Sequence, residues 1–174
     1  KSFLYVGRVI PAKGVYKIFD LLKDNDLTYT IVGPITNDYK NELRQLARKF
    51  GVEDRVTILP PTIDRDKLRE YYNTHEWFFL GSESDCYSLV LSEALSCGMQ
   101  AIVRFIPKSF EWAEGSIYTY KGIEEMKKLV AQASSGELKK LDTGRFMQEH
   151  YSYEAVLKRF MQDIRFLLSN KKDN

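Results

Sequence analysis

Short apolar runs alternate with amphipathic segments from one end of this chain to the other, and that alternation limits the folds open to it. Six runs have strand character: Phe3–Val6, Tyr29–Val32, Val56–Leu59, Trp77–Leu80, Ala101–Val103 and Ile117–Tyr120. Most are nearly continuous in apolar character, as strands covered on both faces are. Between them apolar residues recur at helical spacing, as in Val15, Ile18, Phe19 and Leu22, or Tyr39, Leu43, Leu46, Ala47 and Phe50. Leu68, Tyr71, Tyr72 and His75 mark a further helix, and Ile123, Met126, Leu129, Val130 and Ala133 another. The segment Ser88–Cys97 is apolar nearly all round, which predicts a buried helix. Residues 134–150 read as helical with a break at Gly144. A single stripe from Tyr153 to Leu168 predicts a last helix over 152–170, opened by Ser152 or Tyr153, with Asn170–Asn174 fraying from its end. Strands alternating with helices predict an α/β domain: a three-layer, Rossmann-like, doubly wound parallel sheet of about six strands. Ligands of such sheets sit beyond the carboxyl ends of the strands where strand order reverses. Functional residues are therefore expected in the turns that follow strands.

The chain has 174 residues, one domain's worth. No apolar run approaches the ~18 residues of a membrane span. Lys and Arg total 26 against 24 Asp and Glu, a net charge of +2. That balance argues against nucleic acid as a partner and limits membrane contact to the peripheral kind. Any anion site must come from local placement of charge. Cys86 and Cys97 are too few for a disulfide scaffold. Cys97 reads as a reduced core thiol, in keeping with a cytoplasmic location. His75 and His150 read as structural, since neither has a metal-ligating neighbour at useful spacing. The chain opens on a strand with no initiator Met or targeting segment, and reads as a piece of a longer protein.

Two turns carry chemistry. The first strand is followed by Gly7-Arg8-Val9-Ile10-Pro11-Ala12-Lys13-Gly14, which is neither a phosphate-binding Walker loop nor a dinucleotide fingerprint. Arg8 offers a planar fork to phosphate oxygens and Lys13 a compact point charge, both expected at the start of a helix whose amides favour anions. The fourth strand leads into Gly81-Ser82-Glu83-Ser84-Asp85-Cys86-Tyr87-Ser88 and then the apolar helix. Ser88 is a natural N-cap, which leaves the Leu89 and Val90 amides to face an anion. Glu93 lies on the helix expected to be buried, where a carboxylate needs a partner such as a pair of sugar hydroxyls.

The run Asp85-Cys-Tyr-Ser-Leu-Val-Leu-Ser-Glu93-Ala-Leu-Ser-Cys-Gly98 resembles the E-x7-E motif of GT-B fold glycosyltransferases, in particular the large retaining group 1 family. Tyr5-Val-Gly-Arg8 with Lys13-Gly14 resembles that family's phosphate-binding loop, and Ile31-Val-Gly33 and Val56–Leu59 fit its intervening units. The similarity runs in order over almost the whole chain, yet covers only the C-terminal, nucleotide-sugar-binding half of such enzymes. It implies that an N-terminal acceptor domain of the same protein is the missing partner. Gly7, Arg8 and Lys13 would hold the donor diphosphate, Arg8 and Lys13 stabilising charge as the sugar leaves. Ser88, Leu89 and Val90 would add backbone amides to the phosphate. Glu93 would accept from the ribose hydroxyls and Asp85 from the transferred sugar. The nucleobase would lie by Leu59, Pro60 and Pro61, against Gly33.

The implied reaction moves a hexose, such as mannose or glucose, from a nucleotide-diphosphate sugar to a glycan or lipid-linked acceptor with anomeric configuration kept. No cofactor is expected, and with cations supplied by the protein no metal is required. The open wall of the cleft is expected to be polar and cationic. Several positions depart from the family pattern: Asp85 stands for the usual Glu, Cys86 and Ser88 for Gly, and Met99-Gln100 for Pro-Val. The loop Arg104–Lys108 lacks the usual Gly-Gly. Donor-sugar identity does not carry over. A nucleotide-sugar epimerase or phosphorylase of the same fold, and a non-catalytic nucleotide-binding α/β module, remain open as alternatives. A receiver-like module needs acidic turns after strands one and three, where this chain has Gly7-Arg8 and Pro60-Pro61.

Overall fold

The computed structural model describes residues 1–170, with no side-chain description at Asn170. Six strands, β1 Ser2–Val6, β2 Thr28–Val32, β3 Val56–Leu59, β4 Trp77–Leu80, β5 Gln100–Arg104 and β6 Tyr118–Tyr120, form one sheet in the order β3-β2-β1-β4-β5-β6. Every pairing is parallel. The helices are α1 Phe19–Leu22, α2 Asn37–Phe50, α3 Arg65–Thr74, α4 Leu89–Ser96, α5 Ile123–Ser135, α6 Thr143–Tyr151 and α7 Tyr153–Asn170. The fold is the doubly wound α/β sheet that the alternation predicts. β1 sits beside β2 on one side and β4 on the other, so the chain reverses its direction of winding between β1 and β4.

The central strands are apolar on both faces because both faces are covered. Phe3, Leu4, Tyr29, Ile31, Phe78, Phe79 and Ala101 are fully buried. Their rings engage across strands: Phe3 stacks with Trp77 at 6.2 Å between centroids, and Phe79 with Tyr120 at 6.1 Å. Tyr29 meets Phe79 edge-on at 6.4 Å. The aromatic cluster Trp77-Phe78-Phe79 is core, as is Tyr72. Polar side chains set the helix starts: Thr36 accepts from the Tyr39 amide, and Asp64 accepts from the Asp66 and Lys67 amides at 2.9 and 3.2 Å. His75 is structural, its ring nitrogens within 2.8 Å of the Tyr71 carbonyl and the Thr30 hydroxyl.

Four expectations are corrected. The segment after Lys13 is not one helix: Pro11–Lys13 and Val15–Ile18 are 3-10 turns, and only Phe19–Leu22 is α-helical. Gly14 between the turns is left-handed at φ 61°, which interrupts helical hydrogen bonding. Lys13 therefore ends a 3-10 turn instead of flanking an α-helix start. Second, α4 is buried on one side only, through Leu91, Ala94 and Leu95, while Glu93 is exposed. Third, Gly144 lies inside α6; the break falls at Gly136, whose φ of 80° closes α5. Fourth, Cys97 is half-buried at the edge of α4, short of the core position expected of it. The last helix is present as α7, with its apolar stripe exposed: Phe160 is 58% exposed and Leu167 64%. The expected fraying of residues 171–174 lies outside the described residues.

Close backbone approach fixes the strand ends. A Cβ on Gly33, at φ 155°, would sit 1.8 Å from the Gly7 carbonyl oxygen. Gly33→Ala is expected to cost about 3 kcal/mol or more, because backbone and not a movable side chain blocks it. At Gly51, the left-handed end of α2, nothing lies within 4 Å of a Cβ, so Gly51→Ala should cost only about 1 kcal/mol. Urea unfolding of the two variants checks this; equal losses would mean that the Gly7–Gly33 approach relaxes freely.

Candidate functional site

The βα turns after β1 and β4 meet where the strand order reverses. Gly14 and Gly81 touch there: a Cβ on Gly14 would lie 2.4 Å from the Gly81 carbonyl oxygen, and one on Gly81 would lie 2.6 Å from that of Gly14. The Glu83 amide donates to the Ala12 carbonyl at 2.9 Å. Lys17 Nζ donates to the Gly81 carbonyl at 3.0 Å and pairs with Glu83 at 3.3 Å, and Arg104 approaches Glu83 at 3.6 Å. The turns are thus joined by backbone and by ion pairs.

Between them lies a cleft of about 200 Å³, lined by Tyr5, Val6, Gly7, Arg8, Lys13, Leu80, Asp85, Tyr87, Ser88, Leu89 and Val90. Seven of the residues singled out from sequence are in this lining. Lys13 Nζ donates to Asp85 Oδ2 at 2.8 Å, with the two side chains only 19% and 12% exposed. The Asp85 carbonyl accepts from the Ser109 hydroxyl, tying the turn to the segment after β5. Arg8 is exposed, and its carbonyl accepts from the Tyr5 hydroxyl at 2.8 Å. Burial, then the Asp85 charge, pushes the Tyr5 phenol far above its ordinary range, so it remains a donor.

Ser88 caps α4 as expected, its hydroxyl accepting from the Leu91 amide at 3.3 Å. The Leu89 and Val90 amides before it are the first-turn donors for which an α-helix supplies no internal acceptor. They open onto the cleft beside Lys13 and Arg8, so the site combines two cations with the positive end of a helix. Asp85 places one acceptor among these donors. Such a set suits a ligand that is anionic at one end and hydroxylated at the other.

Gly33, Pro60 and Glu93 lie outside the cleft lining. Gly33 abuts Gly7 from the β2 side, and its amide donates to the Leu59 carbonyl at 3.3 Å, one residue before exposed Pro60. These contacts account for Gly33 by backbone packing and set Pro60 along the same edge of the sheet. Glu93 accepts from the Tyr72 hydroxyl at 2.8 Å. Sequence reading gave Tyr72 only as part of a helical stripe and did not single out Lys17 or Ser109; no local signal marks their contacts, whose partners lie 21, 64 and 24 residues away. A larger cavity, about 540 Å³, lies along the segment 105–119. It is lined mainly by hydrocarbon, with Lys108, Glu111 and Glu114 as its charged groups, and so lacks the donor set of the smaller cleft.

Fold and cleft together define a doubly wound α/β domain whose switch point carries a cleft lined by two cations and a helix N-terminus. Residues 1–140 match the family described as glycosyl transferases group 1, and the chain belongs to that family. It is 30% identical over 106 residues to a D-inositol 3-phosphate glycosyltransferase of Pseudarthrobacter chlorophenolicus, a match to 57% of this chain and 25% of that protein. A second such enzyme, from Xylanimonas cellulosilytica, is 28% identical over 103 residues, covering 57% and 24%. The chain thus spans about a quarter of these curated relatives. Among solved structures, Anabaena HepE in complex with UDP superposes with a TM-score of 0.79 at 17% identity, over 94% of this chain and 48% of that one. That likeness is one of fold, the Rossmann-like half of the GT-B arrangement.

The Lys13–Asp85 pair joins the turns through a contact largely withdrawn from water. Lys13→Met should destabilise the domain by about 1–3 kcal/mol, since it leaves the Asp85 carboxylate poorly solvated and unpaired. Adding Asp85→Asn should recover part of the loss. A double-mutant cycle by urea unfolding measures the coupling; strict additivity would show that the pair does no joining.

Proposed function

We propose that the chain is the donor-binding half of a retaining glycosyltransferase, moving a hexose such as mannose or glucose from a nucleotide-diphosphate sugar to a glycan or lipid-linked acceptor, as in polysaccharide assembly at the cytoplasmic side of a membrane. One observation carries the reading: Arg8, Lys13, Asp85 and the first turn of α4 converge on one cleft at the switch point. Arg8 and Lys13 bind the diphosphate and stabilise the charge that grows on it as the glycosidic bond breaks, together with the Leu89 and Val90 amides. With protein cations in that role the reaction proceeds without a divalent metal. Asp85 accepts from hydroxyls of the transferred sugar, Glu93 from the ribose, and the base lies by Gly33 and Pro60. The UDP complex of HepE and the names of the sequence relatives support a nucleotide-sugar donor.

The second substrate and part of the catalytic constellation belong to an acceptor domain facing this one. The exposed apolar stripe of α7 supports such a partner, as does the fact that this chain corresponds to about half of the HepE chain. No helix among the described residues is long and apolar enough to cross a membrane, so membrane contact is proposed as peripheral.

Calorimetry with UDP-, GDP- and ADP-sugars tests the reading. One of them should bind, and Glu93→Ala should weaken it by one to two decades, the worth of a charged hydrogen bond of roughly 1.5–3 kcal/mol. Lys13→Ala should weaken diphosphate-bearing ligands far more than the bare nucleoside; equal losses would remove Lys13 from the phosphate. Incubated with donor and a hydroxyl acceptor, this chain alone should give no glycosylated product by mass spectrometry. Orienting two substrates is worth as much as ~7–11 kcal/mol, which one wall of a cleft does not supply.

A further inference from the structure

We infer that Tyr72 is a positioning residue: its buried hydroxyl holds the Glu93 carboxylate in the orientation that accepts the two ribose hydroxyls of a nucleoside diphosphate. The inference rests on the donor-binding reading and extends it to a residue outside the cleft.

Glu93 lies four residues after Leu89 and three after Val90, so all three share a face of α4, with Glu93 about 6 Å farther along the axis. Leu89 and Val90 line the cleft. Glu93 is exposed, and an exposed helical carboxylate ordinarily samples several rotamers. Here it does not swing free. Tyr72 on α3 is only 3% exposed, and among the described residues its hydroxyl has Glu93 Oε2 as its one partner, at 2.8 Å. A phenylalanine would fill the same volume and need no partner, so what the phenol adds is this bond. Burial and the carboxylate both push the phenol far above its ordinary range, which keeps it a donor at every working pH. The Cys97 thiol, one turn beyond Glu93, is also pushed up, first by burial and then by the Glu93 charge.

Chemistry follows from the bond's direction. An ionised carboxylate has two oxygens and about four acceptor sites. Tyr72 takes one site on Oε2 and stops rotation about the last side-chain bond, which leaves Oε1 and the rest of Oε2 presented as a fixed pair. A vicinal diol offers two O–H donors to such a pair. Without Tyr72 the carboxylate must be ordered when the ligand binds, and ordering costs affinity.

The test compares ribose with dideoxyribose in the intact chain. UDP, GDP and ADP, their 2′,3′-dideoxy forms and inorganic pyrophosphate are titrated into wild type, Tyr72→Phe and Glu93→Gln. For the nucleotide that binds, Tyr72→Phe should weaken the ribo form five- to tenfold and leave the dideoxy form and pyrophosphate unchanged. A general loss of packing would lower all three together and leave the ribo-to-dideoxy ratio untouched, so that ratio is the readout. If Glu93→Gln erases the ratio and Tyr72→Phe does not move it, Glu93 holds ribose and the role given to Tyr72 is overturned. If Glu93→Gln also leaves the ratio as in wild type, Glu93 does not touch ribose, and the donor assignment fails along with the inference.

Discussion

Two turns of backbone meet at Gly14 and Gly81 with no room for a side chain on either, and the site exists because they do. Strand order alone brings β1 beside β4. The glycine contact decides how close the turns come, and so whether Lys13 can reach Asp85 across 72 residues of chain. On the neighbouring edge, Gly33 against Gly7 does the same between β2 and β1. Backbone packing of this kind is stiff, since moving it means moving strands. The diphosphate pose proposed for this cleft would gain from that stiffness.

Electrostatics then grades the cleft from end to end. The chain's net charge is close to zero, and the site is not a basic patch. Lys13 and Lys17 are each opposed by a carboxylate, Asp85 and Glu83, while Arg8 is exposed at the cleft's edge. The helix start adds partial positive charge without a side chain. The result is a donor-rich floor with an acidic acceptor set within it, an arrangement suited to a phosphate joined to a polyol and poorly suited to a simple anion.

The domain's outer face carries exposed hydrocarbon. α7 exposes Val156, Leu157, Phe160, Met161, Leu167 and Leu168, and Leu89 at the mouth of the cleft is 68% exposed. Of these residues Leu89 lines the cleft, and there an apolar side chain stands where a polar and cationic wall was expected. A stripe at this period is amphipathic by design of the sequence, and what it lacks here is a surface to lie on.

Much of this was legible in the residues themselves. Apolar runs mark all six parallel strands, and they are most continuous in inner strands such as β1 and β4, because a strand covered on both faces has no polar side to show. Ser88 marks the start of α4, because capping is a contact within three residues. The cations and the capped helix after β1 and β4 could be named from the turns in which they stand. The remainder depended on contacts between distant segments. The separation of the Pro11–Lys13 turn from the helical turns after it goes with Gly14, left-handed where it passes Gly81; whether Glu93 is buried depends on which side of α4 meets the core. The partners of Lys13 and Glu93 were likewise set by packing. Periodicity records which residues turn inward on their own element, whereas the identity of the facing residue is set by how elements dock, and for Asp85 and Tyr72 only the tertiary structure decides it.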